Sequence, residues 1–152
     1  MKNKKFLTLI VAVAIPLLVG GLSSLISGGT GVDYVQPPLS PPSWVFGVVW
    51  PILYVLMGLA SYIVFTKQDY KITDQTKSYF YQLFVNFLWP IVFFRFKLYP
   101  AAVVVLGVLI LLAIANTIEF FKVSKTAGKL LIPYVLWLFF ALYLNIGVAV
   151  LN

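Results

Sequence analysis

Five long apolar stretches separated by short charged clusters dominate this chain: Phe6–Ser27, Trp44–Thr66, Ser78–Phe96, Pro100–Phe121 and Leu130–Leu151. Each is close to the ~20 residues a helix needs to cross a bilayer. Inside lipid every backbone amide must find a partner within the protein, which leaves helices and closed barrels. A barrel strand alternates polar and apolar residues, and runs such as Leu7–Ala14 and Ala101–Ala115 show no such alternation. The chain therefore reads as an all-α membrane protein, a five-transmembrane-helix bundle, with one domain over residues 1–152. Function must then reside in the few polar and aromatic groups placed inside the membrane.

The basic residues say how such a bundle sits. Lys2, Lys4, Lys5, Lys67, Lys71, Lys77, Lys122, Lys125 and Lys129 fall in alternate connections, on one side of a five-span bundle. The other side holds Arg95 and Lys97, and the first loop holds Asp33. Lysine and arginine collect on the cytoplasmic face of membrane proteins. This bias predicts a cytoplasmic N-terminus and an outer C-terminus. The charges flank membrane spans and no recognition motif accompanies them, so nucleic acid is not an expected partner. Membrane lipid is one, with the Lys67–Lys77 turn facing anionic headgroups. Met1–Lys5 followed by Phe6–Val19 has the outline of a signal peptide, but the apolar run extends to Ile26 and predicts a retained first helix.

The chain has no cysteine and no histidine. That excludes disulfides, thiolate nucleophiles, zinc centres and imidazole acid–base chemistry. No metal site and no required cofactor are expected, and axial haem ligands would have to come from Met1, Met57 or a tyrosine.

Helix 1 carries Ala12, Pro16, Gly20, Ser24 and Gly28 at every fourth position, a stripe that suits either a packing seam or a cavity wall. Gly28, Gly29 and Gly31 end it. Loop 28–43 contains Pro37, Pro38, Pro41 and Pro42, and prolines that fix φ make it a stiff segment suited to be a lid. Ser43 is placed to cap helix 2.

Three helices place unusual residues on one face. Gln82, Asn86, Trp89 and Phe93 fall within roughly 60° of arc at ~100° per residue, as do Trp50, Tyr54, Met57 and Ser61. Tyr134, Trp137, Ala141 and Asn145 cover a slightly wider arc. Carboxamides are costly in hydrocarbon, so these faces point inward. Two readings stand. Gln82, Asn86 and Asn145 are interhelical hydrogen-bond glue with aromatic packing around them, or the aromatics line a pocket for a flat apolar ligand. Trp44 and Trp50 also suit an interfacial aromatic belt. Lys129, Tyr134 and Leu136 match a reversed sterol-contact pattern, a weak one.

The run Pro37, Pro41-Pro42-Ser43-Trp44-Val45-Phe46-Gly47-Val48-Val49-Trp50, Leu53-Tyr54 and Met57-Gly58 resembles the signature of the TspO/MBR family. This is the translocator-protein or tryptophan-rich sensory protein group. Gln82-Leu83, Asn86, Trp89-Pro90 and Phe93-Phe94 continue the match, as do Leu130-Leu131, Pro133-Tyr134, Trp137, Phe140-Ala141 and Leu144-Asn145. The resemblance implies a five-helix bundle in a bacterial cell membrane, a homodimer, with a pocket beneath the first loop. It implies porphyrin (protoporphyrin IX) or another lipophilic small molecule as ligand, in sensing, transport or detoxification of tetrapyrroles. Carried over by position, the pocket residues are Trp50, Tyr54, Asn86, Trp89, Trp137 and Ala141, with Phe93 and Asn145 on the same stripes, and Pro37, Pro41 and Pro42 form the lid.

The alternatives are light-dependent breakdown of protoporphyrin IX, with Trp50 and Trp137 as the candidate redox residues, and facilitated passage of a lipophile such as a sterol. The chain departs from the family pattern at Thr30-Gly31-Val32-Asp33-Tyr34, which lacks the usual loop tryptophan, and at Gln36, Leu39 and Arg95.

Overall fold

The structure, a computed structural model, describes residues 2–28 and 34–152. The expectations for Gly29, Thr30, Gly31, Val32 and Asp33 lie outside the described residues. Five helices run α1 (Lys2–Ser27), α2 (Ser43–Lys67), α3 (Asp74–Pro90), α4 (Tyr99–Val123) and α5 (Lys125–Leu151). A π-helical turn, Ile91–Arg95, continues α3. In section the helices form a ring in the order α1–α2–α5–α4–α3, with α3 returning to α1. Four of them, α1, α2, α4 and α5, are long and apolar enough to cross a membrane.

Helix 3 is the exception: it has 17 residues, and the inward-facing Gln82 and Asn86 and the polar first turns lower its hydropathy. It begins at Asp74 instead of Ser78. Thr73 accepts from the Thr76 N–H, and the Thr76 hydroxyl accepts from the Thr73 N–H (both 3.4 Å). These reciprocal bonds satisfy two donors that a helix start otherwise leaves open. Ser124 likewise caps α5, accepting from the Ala127 N–H at 3.3 Å. That helix starts at Lys125, five residues before the expected Leu130. Ser43, the expected cap of α2, is instead its first residue, and no side chain caps that end.

The ends of the bundle are distinct. Lys4 places its ammonium 4.2 Å from the Tyr70 ring centre, bringing the start of α1 to the α2–α3 connection. Gln75 donates to Glu119 (2.8 Å), which also pairs with Lys122 (2.7 Å), so the end of α4 gathers there too. At the opposite end Arg95 donates to the Ile26 carbonyl (3.2 Å).

Small residues set the contact of α1 with its neighbours. A side chain at Gly58 would meet the Val13 Cα and the Ala12 carbonyl oxygen, so α1 and α2 touch main chain to main chain. Ser23 donates to the Phe87 carbonyl (2.8 Å), tying α1 to α3. The stripe on α1 therefore serves both expected purposes, as a seam at Ala12 and a cavity wall at Gly20.

Candidate functional site

The polar stripes meet in a buried layer across the middle of the bundle. Tyr54 donates to Asn86 Oδ1 (3.0 Å), Asn86 Nδ2 donates to the Tyr134 hydroxyl (2.8 Å), and Tyr134 donates to Gln82 Oε1 (2.7 Å). Gln82 reaches the Met57 sulfur at 3.8 Å. Helices α2, α3 and α5 are thus joined through side chains that water does not reach. The reading of Gln82 and Asn86 as interhelical glue holds here. Tyr134 is 1% exposed, so the sterol-contact pattern through it presents no tyrosine to lipid.

Replacing Asn86 by Leu keeps the volume and removes two of these bonds. We expect a stability loss of about 2 kcal/mol, at ~1 kcal/mol for each interhelical bond, measured by SDS titration in mixed micelles.

Beyond this layer, toward the Arg95 end, lies a cavity of about 320 Å³. Trp50, Tyr54, Trp89, Phe93, Trp137, Ala141 and Asn145 line it, seven of the eight expected binding residues. Asn86, the eighth, is not among the lining residues. It stands behind Tyr54, with its amide committed to Tyr54 and Tyr134. Asn145 is committed as well, accepting from Trp89 Nε1 (3.0 Å) and donating to the Tyr99 carbonyl (3.1 Å). Trp137 also lines the cavity, and its Nε1 is buried with no hydrogen bond to a described residue.

The aromatic walls are arranged in two clusters. Trp50 stacks on Tyr54 (5.6 Å, 29°) and meets Trp137 edge-on (6.5 Å, 87°). Trp89 and Phe93 lie 5.2 Å apart, and Phe93 meets Tyr34 edge-on at 5.4 Å. Phe93 is placed by the π turn. Pro90 has no N–H to continue the α ladder, and the chain closes wider bonds such as Phe96 N–H to Ile91 O (3.1 Å). The turn ends at Lys97, whose φ is +53°. Trp44, 67% exposed, faces outward as a belt residue should, whereas Trp50 faces the cavity.

Loop residues Tyr34, Gln36 and Ser40 cover the cavity, and Pro37, Pro41 and Pro42 do not line it. The prolines instead set the path of the cover. Pro37 is buried against Gly147 of α5, where any side chain would strike its ring. A turn follows at Pro38-Leu39, with Leu39 held at φ +69° and the Ser40 hydroxyl donating to the Pro37 carbonyl (2.7 Å). Helix 5 holds this cover at two further points. Tyr143 donates to the Pro38 carbonyl (2.6 Å), and the Asn152 amide both accepts from and donates to the Val35 backbone (3.0 and 2.9 Å).

Sequence reasoning did not pick out Leu17, Gly21, Phe46, Gly47, Pro51 or Phe94 as cavity residues. Gly21, Gly47 and Pro51 are exposed, and a Cβ at either glycine would meet nothing. The cavity therefore opens sideways between α1 and α2. The signal was present in the glycines at that level, but a glycine that leaves a gap and one that lets helices touch look alike in sequence.

The TspO/MBR family profile matches residues 12–151. The tryptophan-rich protein TspO of Chlorobaculum tepidum is 32% identical over 156 aligned positions, covering 99% of each chain. The tryptophan-rich sensory protein of Cereibacter sphaeroides is 34% identical over 149, covering 97% of this chain and 90% of that one. The human translocator protein is 37% identical over 113, covering 72% and 67%. The chain thus belongs to the TspO/MBR family.

Proposed function

We propose that this protein takes flat lipophilic molecules, porphyrins foremost, from the bilayer into the cavity beneath loop residues 34–40, in tetrapyrrole sensing, transport or detoxification. The observation that carries the reading is an aromatic cavity, open sideways between α1 and α2. A planar ring system gains most from such walls, because stacked and edge-on aromatic contacts add about 1 kcal/mol each beyond the area they bury. Tyr54 and Asn86 are occupied with each other and give stiffness to the cavity floor.

The experiment is a titration of the protein in nanodiscs with protoporphyrin IX in the dark, followed by illumination. Saturable quenching of indole fluorescence supports the reading; unchanged fluorescence at micromolar porphyrin refutes it. Bleaching of the porphyrin that depends on Trp50 and Trp137 would add light-driven breakdown. The observation favouring that second reading is the 6.5 Å approach of those two indoles at the cavity wall.

Residues 74–95 form a continuous helical path long enough to complete a fifth span. The lysine-rich end faces the cytoplasm of a bacterial cell, and the C-terminus lies outside. The functional unit is a homodimer. Crosslinking in native membranes tests that assembly.

The loop's fastening to α5 sets how fast a ligand leaves. Tyr143→Phe removes one hydrogen bond at the rim. Porphyrin dissociation is expected to accelerate about fivefold, the factor for ~1 kcal/mol, with little change in unfolding; stopped-flow fluorescence reads it.

A further inference from the structure

A second cavity, of about 360 Å³, lies at the lysine-rich end, on the other side of the Met57–Gln82–Asn86–Tyr134 layer. Its walls come from α1, α2, α3, α4 and the α2–α3 connection, and it shares no lining residue with the first. Leu7, Val11, Ala12, Ile15, Val64 and Ile72 supply its aliphatic wall. The aromatic rings present are engaged with other rings. Tyr79 stacks on Phe120 (5.8 Å, 27°), Phe80 meets Tyr79 edge-on and Phe65 meets Tyr70 edge-on. The cavity contains no indole, and these walls suit a flexible chain better than a flat ring.

The polar groups are few and nearly all spoken for. Thr8 donates to the Lys4 carbonyl (2.7 Å), Ser61 donates to the Gly58 carbonyl (2.9 Å), and Thr76 takes part in the α3 cap. Tyr79 differs. It is 2% exposed, and its buried hydroxyl has the Ser61 side chain beside it with no well-formed hydrogen bond to a described residue. A phenol so poorly paired in an apolar setting gains from an acceptor on a bound molecule. Leu7, Val11, Ile72 and Phe80 are exposed, so the cavity opens outward toward lipid.

Depth and charge identify the occupant. Tyr79 lies five residues into α3, about 7.5 Å below its start at ~1.5 Å per residue. Lys4, Lys71 and Lys77 are exposed at that end, and basic groups there attract anionic headgroups. We propose that this cavity holds a single-chain anionic phospholipid. Its ester carbonyl accepts from Tyr79, its acyl chain lies against Val11, Ile15 and Val64, and its phosphate stays among the lysines. A glycerol unit bridges the carbonyl and phosphate levels.

The test uses lysophosphatidylglycerol carrying a photoactivatable diazirine in its acyl chain, added to the protein in phosphatidylcholine nanodiscs. Expected are crosslinks concentrated on the peptides bearing Val11, Ile15 and Val64, competed by unlabelled lysophosphatidylglycerol and not by protoporphyrin IX. Tyr79→Phe keeps the ring packing and is expected to weaken capture about fivefold. Ser61→Phe, which fills the cavity, is expected to abolish it, with helicity and thermal unfolding confirming that each variant folds. An even spread of crosslinks over all lipid-facing helices, displacement by protoporphyrin IX, or full-strength capture by Tyr79→Phe overturns the assignment. None of these outcomes depends on whether the first cavity binds porphyrin.

Discussion

Replacing Ala141 by Phe is expected to weaken protoporphyrin IX binding roughly a hundredfold, the factor for ~3 kcal/mol of overpacking. Ala141 is 5% exposed and sits on the cavity wall, one turn from Trp137 and one from Asn145. A benzyl group there is as broad as one pyrrole ring of the ligand and would claim the same space. The fold has reason to survive, because the bonds that join the helices do not pass through this methyl group. Trp89 to Asn145, and Tyr54 through Asn86 to Tyr134, all remain. Thermal unfolding should therefore move by a few degrees at most, while fluorescence quenching by porphyrin is lost. Ala141→Ser is the companion variant: it adds one small atom and should bind within about threefold of wild type. Porphyrin binding by Ala141→Phe at wild-type strength would move the ligand out of this cavity and onto the lipid-facing surface.

The helical architecture was legible because hydropathy and charge punctuation are both strong in this chain. The inward faces were legible because carboxamides and indoles repeated at helical spacing have nowhere else to go in lipid. The division of labour among those residues was not. Asn86 and Trp50 share the inward direction, yet one is bound into the layer and the other faces the cavity. That difference depends on depth relative to the other helices, which a single helix's periodicity does not carry. The lid shows the same limit. Its prolines lie in the loop, but what faces the cavity is Tyr34, Gln36 and Ser40.

The starts of α3 and α5 were missed for another reason. A hydropathy window stops at charge, whereas Thr73 and Ser124 let the helices begin among charged residues at the interface. Tyr79 lay outside every quoted stripe, although it continues the line of Gln82 and Asn86 by one turn. Its place on the wall of the second cavity emerges only in three dimensions.

The same substitution, Gly to Ala, is expected to act with opposite sign at two positions of this bundle. At Gly58 a Cβ would sit 2.6 Å from the Val13 Cα and 2.7 Å from the Ala12 carbonyl oxygen. Both are backbone atoms and cannot rotate aside, so α1 must move away from α2. Helix propensity favours Ala by ~1 kcal/mol, but a forced shift of a packed helix costs about 1–3 kcal/mol, and the larger β-branched Val should reach the upper end. At Gly21 a Cβ meets nothing within 4 Å, so Ala there should be neutral or stabilising by up to ~1 kcal/mol. Equilibrium SDS unfolding of Gly58→Ala, Gly58→Val and Gly21→Ala measures all three. The consequence extends to the site, because α1 also sets Gly20 against the Tyr54 ring and Leu17 on the cavity wall. Porphyrin affinity should fall with Gly58→Val and hold with Gly21→Ala. Equal stability of the two alanine variants would mean that α1 has slack against α2, and that the main-chain contact does not fix the cavity's open side.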